Sequence, residues 1–279
     1  MPITNPKRLL DSYGIAPKKS LGQNFMHDPN ALEKITRAAE LTAEDTVVEV
    51  GPGTGALTTW LADIARRVIA VELDDRLIPL LQHQLEDYPN VTLVHADILK
   101  VDLALHVDSD DEYCVVANLP YYITGAILRY FLERRHKPTR LVVMVQQEVA
   151  ERLTARPGDM SLLSVAVQYY GQTRIISRLS PAAFWPRPDV TSALVRIDTY
   201  GDSRPVQVSD EEMFFRVVRA GFSQKRKQLV NALGGGLGIS KPAAVDLLRA
   251  AGIDPQRRAE TLTLGEWAAL TAAAQAARI

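Results

Sequence analysis

The sequence predicts an α/β fold: a Rossmann-like, doubly wound sheet of seven strands, followed by a small all-helical domain. Three observations point there. From about Thr46 to Thr199, short β-branched runs alternate with stretches whose apolar residues recur every three to four positions, the pattern of strands joined by crossover helices. A glycine-rich turn, Gly51-Pro52-Gly53-Thr54-Gly55, follows the first of those runs and leads into a helical stretch. Beyond residue 200 the strand pattern stops and helical periodicity continues alone.

Taken in order, strands are expected at 46–50, 68–72, 91–95, 113–117, 140–145, 174–178 and 193–198, because each is a short run of β-branched or aromatic residues bounded by turn residues. Helices are expected between them at 56–66, 76–87, 123–133 and 147–155, on apolar spacing. The segment Tyr200-Gly201-Asp202-Ser203-Arg204-Pro205 gathers Gly, Asp, Ser and Pro and reads as a linker, which divides the chain into domains 1–202 and 203–279. Four helices follow, near 210–221, 224–234, 241–251 and 264–277, with Ser209 and Ser240 as N-caps. The glycines at 234–236 and 238 read as a helix stop and loop.

Composition bounds the function. With 47% hydrophobic and 23% charged residues the chain is an ordinary globular protein, long enough at 279 residues for one large domain and a smaller one. Its one cysteine, Cys114, cannot pair within the chain and no Cys/His cluster has zinc spacing, so a cytoplasmic protein without metal is expected. No apolar run reaches the ~18 residues of a membrane span, and the N-terminus lacks an apolar signal core. The formal net charge of -1 does not suggest a polyanion binder. The local distribution does, since Arg216, Arg219, Lys225, Arg226, Lys227 and Lys241 fall between Met213 and Pro242 with no Asp or Glu among them.

A strand running into a glycine-rich turn and a helix makes a nucleotide pocket, because glycines let a ligand approach the backbone. Gly51 and Gly53 are the expected contacts, and Glu72, about 20 residues on at the end of the second strand, is placed to accept hydrogen bonds from ribose hydroxyls. A dinucleotide would use the same pair. Two features favour S-adenosylmethionine instead: the spacing is Gly-x-Gly-x-Gly, and Asp97 ends the third strand, where it can reach an adenine amine. Together with Glu49 before the loop, these resemble the Rossmann-like S-adenosylmethionine-dependent methyltransferases.

The fourth strand ends in Asn118-Leu119-Pro120-Tyr121, again at the carboxyl edge where doubly wound sheets bind ligands. Asn, an apolar residue, Pro and an aromatic are the signature of enzymes that methylate exocyclic amines of nucleobases. The N6 lone pair of adenine is delocalised into its ring, so the amine is a poor nucleophile. Hydrogen bonds from its two protons to the Asn118 side-chain carbonyl and the Leu119 backbone carbonyl would localise that pair and disperse the developing positive charge. Pro120 fixes the turn, and Tyr121 can stack on an extruded base. Phe184, in the stiff loop Phe184-Trp185-Pro186-Arg187-Pro188, is expected against the other face of that base, with Trp185 as the alternative.

With these motifs in place, the chain resembles the KsgA/RsmA family of small-subunit ribosomal RNA adenine dimethyltransferases, most closely its bacterial branch. The resemblance rests on Lys18-Lys19-Ser20-Leu21-Gly22-Gln23-Asn24-Phe25, the Glu49–Gly55 loop, Val71-Glu72-Leu73-Asp74, His95-Ala96-Asp97-Ile98, Asn118–Tyr121, the 184–192 loop and Phe222-Ser223-Gln224-Lys225-Arg226-Lys227-Gln228-Leu229. It implies that an N-terminal arm folds over the cofactor with contacts from Gln23, Asn24 and Met26, the last where many members have Leu, and that Asn118 borders the cofactor too. It implies RNA phosphate contacts from Lys18, Lys19, Lys225, Arg226 and Lys227. The reaction implied is conversion of two adjacent adenosines in the 3′-terminal hairpin of 16S rRNA, within the 30S subunit or its precursor, to N6,N6-dimethyladenosine by a monomer that releases S-adenosylhomocysteine.

Three readings compete. The 23S rRNA adenine methylases share the Gln-Asn-Phe and Asn-x-Pro-Tyr elements; Leu119 and the Phe-Ser-Gln-Lys-Arg-Lys run favour the small-subunit enzymes. A non-catalytic assembly factor would not need an intact Asn118–Tyr121 site, and an NAD-dependent oxidoreductase would not need that site at all. His27, His83, His95, His106 and His136 form no spaced ligand set, and Cys114 sits on a strand expected to be buried.

Overall fold

A computed structural model of the chain describes residues 5–201, 203–224 and 226–279. Its elements begin with α1 (Pro6–Ser12), β1 (Phe25–Met26), α2 (Pro29–Ala39), β2 (Thr46–Val50), α3 (Ala56–Ala62), β3 (Arg67–Glu72), α4 (Ile78–Gln84), β4 (Val91–His95), β5 (Tyr113–Asn118), α5 (Thr124–Leu132) and β6 (Arg140–Gln146). They continue with α6 (Gln147–Leu153), α7 (Leu162–Tyr170), β7 (Gly171–Leu179), β8 (Phe184–Trp185), β9 (Ser192–Thr199), α8 (Glu211–Gly221), α9 (Leu229–Leu237), α10 (Lys241–Ala250) and α11 (Leu264–Ala276).

Seven strands form one sheet in the order β4-β3-β2-β5-β6-β9-β7. The strands β4, β3, β2, β5 and β6 are parallel, and β9 runs antiparallel to β6. Central parallel strands are covered on both faces, which is why β2, β5 and β6 read as near-continuous Val, Leu and Met runs and are buried along almost their whole length. The order reverses between β2 and β5, so the carboxyl ends of these two strands border the crevice where such sheets bind ligands. Phe25 and Met26 pair separately with Trp185 and Phe184 in a two-stranded ribbon, which ties the N-terminal arm to the 184 loop.

The chain divides into two units, residues 5–150 with Gln172–Thr199, and the described residues of Glu151–Gly171 with Tyr200–Ile279. The Gly/Asp/Ser/Pro segment near residue 202 gives no hint that α7 groups with the C-terminal helices. The reason is aromatic packing: Tyr169 of α7 stacks on Phe214 of α8 with ring centroids 4.8 Å apart, and Tyr170 on Phe215 at 5.8 Å.

Local chemistry moves several expected boundaries. The N-cap of α8 is Asp210, whose carboxylate accepts from the Met213 amide, whereas the Ser209 hydroxyl bonds Gln275. Ser240 caps α10 as expected. The helix expected from residue 224 starts at Leu229, after a turn in which Arg226 takes a left-handed φ of 66°. Gly234, Gly235 and Gly236 lie inside α9, and only Gly238 stops it. The glycine run has a packing cause: a Cβ on Gly236 would lie 2.6 Å from the Ala220 Cα, so α8 and α9 approach too closely for any side chain there. The helix α2 was not expected, although Asp28 caps it, Pro29 opens it and Ala31, Leu32, Ile35, Ala38 and Ala39 bury one face.

Candidate active site

The site grows from the carboxyl edge of the sheet. After Val50 the chain turns through Gly51 and Gly53, both at positive φ (68° and 62°). Gly53 is needed for a second reason, because a Cβ there would sit 3.0 Å from the Phe25 ring. Its amide donates to Glu72 Oε2 at 3.3 Å, and the Asp74 amide donates to Glu72 Oε1 at 2.8 Å, so the Glu72 carboxylate spans the ends of β2 and β3. Glu72 is 6% exposed, and burial raises its pKa despite those backbone donors.

One cavity collects these groups. Its walls include residues 21–26 of the arm, residues 49–54 at the end of β2 and in the glycine turn, Glu72 and Leu73 at the end of β3, Asp97 and Ile98 beyond β4, and residues 118–123 at the end of β5 and beyond. It therefore brings together Gln23, Asn24, Met26, Gly51, Gly53, Glu72, Asp97 and Asn118, expected to hold a cofactor, with Leu119, Pro120 and Tyr121, expected to hold a base.

Three bonds orient the Asn118–Tyr121 turn. Asn118 Nδ2 donates to the Asn24 carbonyl at 3.0 Å, which commits the nitrogen to the arm and leaves Oδ1 to accept. The Leu119 amide is held by the Met144 carbonyl of β6 at 3.1 Å. The Tyr121 hydroxyl and Ser192 Oγ are 2.6 Å apart, and Ser192 is fully buried at the start of β9. That serine carries no motif of its own, and a bond across this many residues has no sequence signal.

Glu49 is the most unusual group in the cavity. It is 1% exposed, its Oε2 has no hydrogen-bond partner, and burial, aided by the charge of Glu72, pushes its carboxyl up to about 8. An orphaned buried acid in a cavity wall suits a ligand that brings positive charge, and the glycine turn suits one that approaches the backbone. Both are properties of S-adenosylmethionine, with its sulfonium and ammonium groups.

Phe184 does not join the site. It is 2% exposed, belongs to the core cluster with Met26, Leu32, Ala183 and Leu194, and is not among the residues that line the cavity. The ribbon pairing of Met26 with Phe184 explains this, since it draws the 184 loop under the arm. Trp185 packs against a second cluster around Leu9, Leu10 and Leu77. Tyr122 is the exposed aromatic on the rim, at 56%.

The basic positions divide. Lys18 is paired with Asp74 at 3.3 Å, and Lys19 is exposed beside it. In the helical unit Arg216, Arg219, Arg226, Lys227 and Lys241 are all exposed, while Lys225 lies outside the described residues. Among the described residues no group of three or more His, Cys, Asp or Glu side chains is placed to hold a metal ion, and no helix is long and apolar enough to cross a membrane.

Comparison with known proteins gives these features a context. The sequence profile of the family described as "Ribosomal RNA adenine dimethylase" matches residues 15–275. A protein of Dehalococcoides mccartyi (strain CBDB1) named "Ribosomal RNA small subunit methyltransferase A" is 49% identical over 265 residues, covering 95% of this chain and 91% of the relative. One of the same name from Clostridium botulinum (strain Loch Maree / Type A3) is 43% identical over 269 residues, covering 96% and 97%. Among solved structures, a dimethyladenosine transferase from Plasmodium falciparum has the same fold, with a TM-score of 0.77 at 24% identity over 91% of this chain and 98% of the other. The 23S rRNA methyltransferase ErmE matches with a TM-score of 0.70 at 26% identity, over 90% and 99%.

Proposed function

The chain belongs to the ribosomal RNA adenine dimethylase family, and on that premise we propose that it transfers methyl groups from S-adenosylmethionine to the N6 amines of two adjacent adenosines in the 3′-terminal hairpin of 16S rRNA, in the 30S subunit or its precursor. The observation that carries this reading is that the Asn118–Tyr121 turn opens on the same cavity as Gly51, Gly53, Glu72 and Asp97. A base amine held at one end of that cavity therefore faces a methyl donor held at the other.

The bound cofactor supplies a methyl group already activated on a sulfonium. The chain's own residues do the rest. Glu72 takes the ribose hydroxyls, Asp97 the adenine amine, and the arm residues Gln23, Asn24 and Met26 close over the other side. Asn118 Oδ1 and the Leu119 carbonyl accept the N6 protons of the target adenine and oppose delocalisation of its lone pair. Tyr121, its hydroxyl held by Ser192, stacks on the base. The carboxyl groups lining the cavity are Glu49, Glu72 and Asp97, all on the cofactor's side, and the Tyr121 hydroxyl is a weak acid raised further by burial, so the proton released from the methylated amine goes to water. Catalysis is positioning plus electrostatics. The exposed cations Arg226 and Lys227, with Lys225, bind RNA phosphates and supply affinity rather than sequence choice.

Glu49 supplies a pH signature. Its carboxyl is neutral below about pH 8, and a cationic cofactor lowers that value, so binding at about pH 7 expels nearly one proton and binding at about pH 9 expels almost none. Calorimetry in buffers of different ionisation enthalpy reads this directly. Glu49→Gln should bind without proton release at either pH. Proton release equal in wild type and variant would remove Glu49 from the cofactor site.

The substrate is tested by incubating the protein and labelled S-adenosylmethionine with 30S and 50S subunits that lack dimethyladenosine. Label is expected in 16S RNA of the 30S particle. Label appearing only in 23S RNA would transfer the chain to the activity named for ErmE.

A further inference from the structure

One wall of the cavity, Leu21–Asn24, is the end of a strap from Ala16 to Asn24 whose regular structure is a single short 3-10 turn, Lys19–Leu21. It is anchored before its start by Leu9, Leu10 and Ile15, and after its end by Phe25 and Met26, all buried. Between those anchors Lys18, Lys19 and Ser20 are exposed and Leu21–Asn24 only half-buried, so little apolar surface holds the strap down. Polar bonds hold it instead, and two of them, from Lys18 and Gln23, meet on one side chain.

That side chain is Asp74, two residues beyond Glu72. Its carboxylate is fully buried and takes Arg76 at both oxygens, Nε on Oδ1 at 2.9 Å and Nη2 on Oδ2 at 2.6 Å. From the strap, Lys18 Nζ reaches Oδ1 at 3.3 Å and Gln23 Nε2 reaches Oδ2 at 2.8 Å. Arg76 Nη1 donates in turn to the Ala16 carbonyl at 3.1 Å, and Gln23 Oε1 accepts from the Lys18 amide at 2.7 Å. The beginning, middle and end of the strap are thus tied to one carboxylate and its guanidinium partner, and the far end is tied to the reacting turn through Asn24 and Asn118.

We propose that Asp74 is a positioning residue that latches the Ala16–Asn24 strap over the cofactor cavity and thereby sets how long S-adenosylmethionine and its demethylated product stay bound. The latch rests on the reading of the cavity as a S-adenosylmethionine site. Its logic is separate from ligand contact: no cofactor atom need touch Asp74, because the carboxylate acts through Lys18, Gln23 and Arg76. The Arg76 hydrogen bonds hold the Asp74 carboxyl well below the usual carboxylate range, so the latch stays charged across the neutral range. It opens by local unfolding of the strap, not by titration.

Stopped-flow displacement of S-adenosylhomocysteine from the full-length protein, without RNA, tests the latch. If Asp74→Asn lowers the closed fraction of the strap to about one part in ten, the product leaves about tenfold faster and binds about tenfold more weakly. Lys18→Met, which removes one half-exposed partner and no buried atom, should speed release about threefold, with the melting temperature of the ligand-free protein unchanged. A merely structural role would move the melting temperature and leave the release rate alone. Release from Asp74→Asn at the wild-type rate would overturn the latch. If that variant does not fold, Lys18→Met decides, and wild-type release from it overturns the latch equally. Wild-type protein that bound neither S-adenosylmethionine nor its product would overturn the functional reading first, and the latch with it.

Discussion

Asn118→Ala is expected to lower kcat for methyl transfer about 10²–10³-fold, the loss typical of removing one preorganised hydrogen-bonding group aimed at developing charge. The side chain does two things at once. Its Nδ2 holds the Asn24 carbonyl of the arm, which leaves Oδ1 for the proposed role of accepting from the target amine. Asn118→Asp separates the two roles: it keeps an acceptor for the amine but loses the donor to Asn24. Single-turnover kinetics with 30S particles would distinguish them. Alanine should depress the chemical step, whereas aspartate should act more on cofactor affinity. A full-rate Asn118→Ala enzyme would refute the mechanism outright.

Glu72→Ala is expected to weaken S-adenosylmethionine binding by about 1.5–3 kcal/mol, roughly 10- to 150-fold, the contribution typical of one hydrogen bond to a charged group, as the ribose loses its proposed acceptor. The fold should tolerate the change. The Glu72 carboxyl is already raised by burial, so its removal relieves a desolvation penalty while freeing the Gly53 and Asp74 amides toward the cavity. Calorimetry measures the affinity and thermal denaturation the stability; an unchanged affinity would place the ribose elsewhere.

The site was legible where chemistry repeats in short motifs. Gly51, Gly53, Glu72, Asp97 and Asn118 each stand at the end of a strand, and parallel pairing brings strand ends to one edge, so a linear reading places them in one cavity. The sheet was legible for the same reason, as buried parallel strands are unbroken apolar runs. What failed to show were features decided by contacts across long stretches of chain. Ser192 orients Tyr121 from β9, two strands from β5 in the sheet and 71 residues on in the chain, and Asp74 gathers the arm from more than fifty residues upstream. Phe184 looked like a stacking ring because the adjoining prolines suggest an exposed loop, but its pairing with Met26 buries it. Gly234–Gly236 looked like a helix stop because glycine lowers helix propensity, yet the contact with Ala220 needs glycine inside α9.

With Phe184 buried, Tyr121 is the aromatic of the reacting turn that lines the cavity, and Tyr122 is exposed at its rim. The N-terminal arm also changes meaning. Lys18 and Gln23, read from sequence as an RNA contact and a cofactor contact, share their polar atoms with Asp74, so both act first on the closure of the arm.

The Asn118–Tyr121 turn is proposed to hold adenine N6 of small-subunit rRNA for dimethylation. Mass spectrometry of nuclease fragments from 16S rRNA, after 30S particles lacking the modification are incubated with the protein and S-adenosylmethionine, tests it most directly. The expected product is N6,N6-dimethyladenosine at two adjacent positions in the 3′-terminal hairpin, absent when the Asn118→Ala protein is used. Methylation confined to 23S rRNA, or on any atom other than adenine N6, would contradict it.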